Sequence, residues 1–131
     1  VTACVLDTDV VIAALDRRDA HHERAAAALL GMVEADTPRL LSTINYAEAL
    51  VRPAEDERTL RQAVDAIASL GVRLLAPTPE IARAAARNRA LAISLADGFA
   101  LATAQTHGAA IATFDRRARR AAERLGVALA L

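Results

Sequence analysis

Four carboxylates far apart in the chain, Asp7, Glu48, Asp97 and Asp115, each sit beside a short apolar stretch. Cys4-Val5-Leu6 runs straight into Asp7, as a strand buried on both faces does. Ala109 to Thr113 is a second such run, and Phe114-Asp115 ends it in the same way. Glu48 lies on the helix that leaves the stretch Arg39 to Thr43, in the reading its first turn. Asp97 opens the helix before the last strand. That helix must run antiparallel to the strand over about 16 Å, so its start returns to the edge the strand reaches. All four acids thus fall on one rim of one sheet, where open α/β folds place their chemistry. Clustered carboxylates repel and raise one another's pKa unless a cation intervenes. Oxygen donors without a nearby His or Cys suit Mg²⁺ or Mn²⁺, an ion that keeps positions open for a phosphate. Such a site suits hydrolysis of a phosphodiester by a metal-activated water.

The elements that must position these acids follow in alternation. After a strand at residues 4–6 the chain predicts a short helix over Thr8 to Leu15, then a charged loop. Asp19 is read as the cap of a helix from Ala20 to Glu34. A strand from Arg39 to Thr43 leads into a helix around Asn45 to Leu50, where Asn45 and Glu48 also match a capping box. Arg58 to Leu70 is amphipathic and stops at Gly71, Val72 to Leu75 is a third strand, and Glu80 to Leu91 an alanine-rich helix. Asp97 to His107 is a helix, Ala109 to Thr113 a fourth strand, and Arg116 opens the last helix. Val127 to Leu131 reads as an edge strand. The expected architecture is one three-layer α/β domain over residues 1–131, a central parallel sheet flanked by helices.

Composition agrees and narrows the partners. The 131 residues are 54% hydrophobic but only 2% aromatic, which implies an aliphatic core of closely packed helices. Sixteen basic and sixteen acidic residues cancel, so no global basic charge points to nucleic acid. Every basic residue is arginine, and the chain has no lysine. Cys4 has no partner for a disulfide and reads as a small core residue. No apolar run reaches spanning length and no leader precedes Asp7, so a soluble cytoplasmic protein is expected. His21-His22 is not read as a metal pair, because adjacent helix positions do not face each other.

In order and spacing these segments resemble the PIN-domain ribonucleases, and among them the VapC toxins of bacterial toxin–antitoxin pairs. Val5-Leu6-Asp7-Thr8 is similar to the family's opening strand, and Asp19-Ala20-His21-His22 to a segment common after it. Ser42 to Pro53 resembles the helix carrying the second acid. Ile93 to Asp97 and Ala112 to Asp115 resemble the third and fourth acid segments. The resemblance implies a parallel sheet between helices, Mg²⁺-dependent endonucleolytic cleavage of RNA, dimerisation, and inhibition by a cognate antitoxin. Arg116 and Arg117 stand where some PIN sequences carry a further acid, which speaks against a second metal held wholly by protein.

On this reading Asp7, Glu48, Asp97 and Asp115 are catalytic. Asp7, Asp97 and Asp115 are the metal set, with the first two nearest to it, and Glu48 positions or deprotonates the attacking water. Thr8 and Thr113 are candidates for hydrogen bonds to carboxylates or metal waters. Arg116 and Arg117, with Arg119 and Arg120, are candidates for substrate phosphates, and Arg17 and Arg18 weaker ones. Asp9 either assists hydration of the metal or caps the short helix, and the cap is the preferred of the two readings. The expected substrate is single-stranded or loop RNA, such as tRNA, and the expected partners are an antitoxin and a second copy of the chain. The antitoxin is placed in a groove between the helices Ala20 to Glu34 and Ser42 to Arg52, with a partner cation on the acidic rim. Two other readings compete. Asp7-Thr8-Asp9-Val10 fits the opening motif of haloacid-dehalogenase-like phosphatases, but those steady the phosphoryl-aspartate with a lysine, which this chain lacks. A non-catalytic PIN-like module binding RNA or protein is the other, and it has no need of four repelling acids.

Overall fold

Strand β1, Cys4–Leu6, is buried at every residue and paired on both sides, which is what its unbroken apolar run requires. It hydrogen-bonds in parallel to β2, Arg39–Ser42, and to β4, Ala110–Ala112. β3, Val72–Leu75, adds in parallel to β2, giving the order β3-β2-β1-β4. The computed structural model describes residues 2–131. Between the strands run α1 (Thr8–Leu15), α2 (His22–Glu34), α3 (Thr43–Leu50), α4 (Glu57–Ser69), α5 (Pro79–Asn88) and α6 (Leu95–His107), and α7 (Arg116–Arg124) follows β4.

The alternation of β1 divides the core in two. Cys4 and Leu6 face one layer with Val10 and Val11 of α1, Ala25 and Leu29 of α2, Ala49 of α3 and Ile67 of α4. Val5 faces the other, with Ala100, Leu101 and Ala104 of α6 and Ala121 and Ala122 of α7. α5 packs outside α6 through Ile81 and Ala85 against Ala102. A central parallel sheet flanked by helices is therefore the architecture, as expected. Cys4 is a core thiol pushed up to about 12 by burial, hence unreactive.

Several local expectations are corrected. Asp19 does not cap α2: its carboxylate accepts from His21 N–H at 2.8 Å, tightening the turn one residue ahead of a helix with no side-chain cap. Asn45 is not a cap either. Ser42 caps α3 through the N–H of Ile44 at 3.3 Å, so Asn45 lies inside the helix and the capping-box reading of Glu48 fails. Glu48 consequently stands in the second turn of α3, not the first. α6 starts at Leu95, capped by Ser94, and Asp97 lies within its first turn. Val127 to Leu131 forms no strand. A single parallel bridge joins Leu129 to Ile111, held by Ile111 N–H to Ala128 and by Ala130 N–H to Ile111. Among the described residues no helix is long and apolar enough to cross a membrane.

Candidate active site

Asp7 ends β1 and caps α1, its Oδ1 accepting from Thr8 N–H at 2.9 Å. It is 1% exposed, and a carboxylate at that depth must be supplied with donors. Thr113, just past β4, donates its hydroxyl to Asp7 Oδ2 at 2.8 Å and accepts from Asp115 N–H at 3.2 Å. Asn45, fully buried on α3, directs Nδ2 to Asp7 Oδ1 at 3.4 Å, Thr8 Oγ1 at 3.0 Å and the Ala96 carbonyl at 3.2 Å. One amide thus ties the starts of α1 and α6 to α3. Sequence reasoning missed this residue. The signal was its spacing from Ala49, four residues on and also buried, which puts Asn45 on the inward face of the helix.

Asp7, Thr8, Asp9, Glu48, Asp97 and Asp115 line one hollow of about 210 Å³ with Ile12. The four acids picked out from sequence are therefore brought together, with Asp9 as a fifth. Asp9 does not cap α1. Its Oδ2 accepts from Phe114 N–H at 2.9 Å, linking α1 to the turn after β4, while Oδ1 is buried without a partner. Asp115 caps α7 through Ala118 N–H at 2.8 Å and still lines the hollow. Arg119 turns inward to donate to the Thr113 carbonyl at 3.1 Å, and Arg116 lines neither the hollow nor the clefts beside it. Arg117 borders the adjoining cleft with Asp97 and Asp115. Arg17 and Arg18 are exposed, and Arg18 pairs with Asp16 at 3.6 Å. His21 stacks on Phe114 with ring centres 4.4 Å apart, His22 Nδ1 lies 2.7 Å from the Ala13 carbonyl, and neither lines the acidic hollow.

No arginine lines the hollow itself, and its charge is uncompensated. Burial pushes Asp7 well above the ordinary carboxylate range, the neighbouring Asp97 and Asp9 push it further, and the donors Thr113 and Thr8 oppose. Burial likewise raises Asp9, against the Phe114 N–H, and raises Asp97, with Asp115 adding repulsion. Asp7 and Asp97 line the same hollow, and the charge of Asp97 adds to the rise of Asp7. Among the described residues no three His, Cys, Asp or Glu side chains form a group that could hold an ion. A closed cage is therefore not what the site offers. It offers an adjacent pair of carboxylates and an orphaned buried carboxylate oxygen, all hard donors. This fits a cation such as Mg²⁺, which binds through one or two carboxylates and keeps its waters.

A family model described as PIN domain matches residues 4–124. The chain belongs to the PIN-domain family. Solved PIN-like structures align over almost the whole of it. A chain of FitAcB from Neisseria gonorrhoeae is 28% identical, with 96% of this chain and 95% of that one covered and a TM-score of 0.71. A chain of FitAB bound to an IR36 DNA fragment is 29% identical, covering 96% and 92%, with a TM-score of 0.72. VapC20 from Mycobacterium tuberculosis, described as a sarcin-ricin loop cleaving toxin, shares the fold at 18% identity, 91% and 95% coverage and a TM-score of 0.73. No curated protein matches the chain.

Proposed function

We propose that this PIN domain, residues 1–131 acting as one unit, is a Mg²⁺-dependent endoribonuclease and the toxin of a toxin–antitoxin pair, acting in the cytoplasm, with Mn²⁺ able to replace Mg²⁺. The observation that carries the reading is the convergence of Asp7, Asp9, Glu48, Asp97 and Asp115 on one hollow with no cationic side chain in it. Asp7 and Asp97 would hold the ion, directly or through water, with Asp115 acting on its waters from farther along the same hollow. When bound, the ion neutralises the scissile phosphate and acidifies the attacking water. Glu48, which lines the same hollow, would orient that water and accept its proton. Thr113 and Asn45 fix Asp7 so that its carboxylate does not swing with substrate binding. Attack by water leaves a 5′-phosphate and a 3′-hydroxyl and makes no use of the ribose 2′-hydroxyl as nucleophile.

The toxin assignment is supported by similar structures described as a sarcin-ricin loop cleaving toxin and as a toxin–antitoxin complex from Klebsiella pneumoniae. An apolar hollow of about 240 Å³, lined by Leu29, Leu30 and Val33 of α2, Ala14 of α1 and Leu70 after α4, would take an amphipathic antitoxin helix. It lies against α1, α2 and the end of α4, and no residue of α3 lines it. A second copy of the chain is the other expected partner. A phosphatase of the haloacid-dehalogenase type would need a lysine, and there is none. The deciding experiment maps RNA ends, single-stranded loops and tRNA included, after expression of the wild type beside Asp7→Ala. Asp7-dependent cuts bearing 5′-phosphates support the proposal, whereas 2′,3′-cyclic phosphate ends, or no cuts from folded protein with Mg²⁺ present, would leave a binding module.

A further inference from the structure

The acidic hollow does not end at Asp97 and Asp115. Those two residues also form one end of a cleft of about 480 Å³, lined further by Arg89, Ala92, Ile93, Ser94 and Arg117. Ala92 and Arg117 are shared in turn with a hollow of about 320 Å³ that continues past Leu91, Arg120, Ala121 and Arg124. One continuous groove therefore leaves the candidate active site between the turn after α5 and the outer face of α7, and its lining changes from carboxylate to arginine. Arg117, Arg120 and Arg124 follow at three and four residues, so they project from one face of α7. The opposite wall contributes Arg89, whose Nη1 donates to the Ile93 carbonyl and pins the guanidinium over the turn. Beyond Asp115 no acid lines the groove, and among the described residues the one ion pair is Arg18 with Asp16, elsewhere.

A solvated helix face would not account for this arrangement. The chain carries as many acids as arginines, yet these four arginines gather on two facing walls with no carboxylate in ion-pair contact, the only acids of the groove being Asp97 and Asp115 at its end. Like charges held together cost stability unless an anion joins them. From Arg117 to Arg124 the helix axis advances about 10 Å, the rise of about three stacked nucleotides along one strand. An extended row of anions, not a single small one, matches that spacing.

We propose that this groove is the track for the sugar-phosphate backbone of a single RNA strand on one side of the scissile bond, with Arg89, Arg117, Arg120 and Arg124 meeting successive phosphates. The proposal rests on the nuclease reading, and it assigns to Arg89 and Arg124 a role the sequence did not suggest, while Arg116 and Arg119 take none. Phosphate contacts without base contacts would give affinity and orientation without sequence choice.

The test measures binding of a fluorescent single-stranded oligoribonucleotide by anisotropy as salt is varied, with Asp7→Asn in every protein so that nothing is cleaved. Arg120→Gln with Arg124→Gln should lower the log–log salt slope by about 1.4, two contacts at about 0.7 each, so that over a tenfold rise in salt the variant loses about 25-fold less affinity than its parent. Arg89→Gln, from the facing wall, should lower it by about 0.7. Arg58→Gln with Arg61→Gln, equally exposed on α4, is the control and should leave the slope unchanged. Circular dichroism confirms folding for each. If the α7 and α4 pairs lose equal slope, or neither loses any, the groove is not the track. Cleavage by the otherwise unaltered chain is scored separately. Cleavage with an unchanged slope overturns the groove alone, whereas groove-dependent binding without cleavage overturns the nuclease reading and leaves the groove standing.

Discussion

Asp97 carries the most direct test at the level of single residues. It borders both the acidic hollow and the arginine groove and is raised by burial and by Asp115. Asp97→Asn should slow RNA cleavage under saturating Mg²⁺ by at least about 10²-fold, the lower range for removing a group that acts on the reacting proton or its ion. Wild-type cleavage by the variant would remove Asp97 from the site. Asn45→Ala should act differently. It deprives buried Asp7 of a donor and unties Thr8 and Ala96, at about 1.5–3 kcal/mol for a hydrogen bond to a charged group. Urea unfolding should show that loss, and cleavage should fall with it. A variant as stable as wild type would deny Asn45 its positioning role. The contrast between the two residues shows what was legible. Asp7 and Asp115 could be read because an apolar run ends abruptly in an acid. Asn45 was not read, because its spacing from Ala49 marks an inward face only once the cap is known to be Ser42. Asp9 was misread for the same reason: Asp7 already occupies the cap it was given.

At the level of elements, the placement of Asp97 depends on how closely α6 approaches α5. Gly98 makes that approach possible, since a Cβ there would come within 2.9 Å of the Ala85 carbonyl oxygen, a backbone atom that cannot turn away. Asn88 on α5 donates to the Gly98 carbonyl at 3.3 Å and fixes the same contact. Gly98→Ala would gain about 1 kcal/mol of helix propensity but should lose about 1–3 kcal/mol by overpacking. The expected net result is a lower thermal midpoint and a displaced Asp97, read as weaker Mg²⁺ binding by calorimetry. A midpoint above wild type would show that α5 yields freely. The succession of strands and helices along the chain was legible because apolar runs are punctuated by turn residues and the helices carry periodic apolar faces. Contact across α5 and α6 was not, because nothing in an alanine-rich sequence states which alanine meets a glycine. The tail was over-read: Val127 to Leu131 alternates like a strand but makes one bridge.

Over the whole molecule, zero net charge conceals a separation, acid at one end of a continuous groove and arginine along the rest. That separation makes stability depend on pH and on divalent ions together. Asp7, Asp9 and Asp97 are all raised, by burial first and then by one another or Asp115, so the folded chain holds protons on them more firmly than the unfolded chain does. Their contribution is fully favourable below the ordinary carboxylate range and is lost as pH rises through the raised values. Asp16, held low by the Arg18 N–H, has the opposite sign, but its contribution disappears only as pH falls through its own depressed value. Without divalent ions the thermal midpoint should therefore climb as pH is lowered from about 8 to about 5. Saturating Mg²⁺ binds the ionised carboxylates of the folded state alone, so it should raise the midpoint most at the alkaline end and flatten the profile. Asp97→Asn should flatten the ion-free profile by itself and shrink the Mg²⁺ shift. Differential scanning fluorimetry at several pH values, with chelator or with Mg²⁺, checks all three curves. An ion-free midpoint that falls on acidification over this range would mean that the hollow is not a store of repelling carboxylates, and the case for a cation there would go with it.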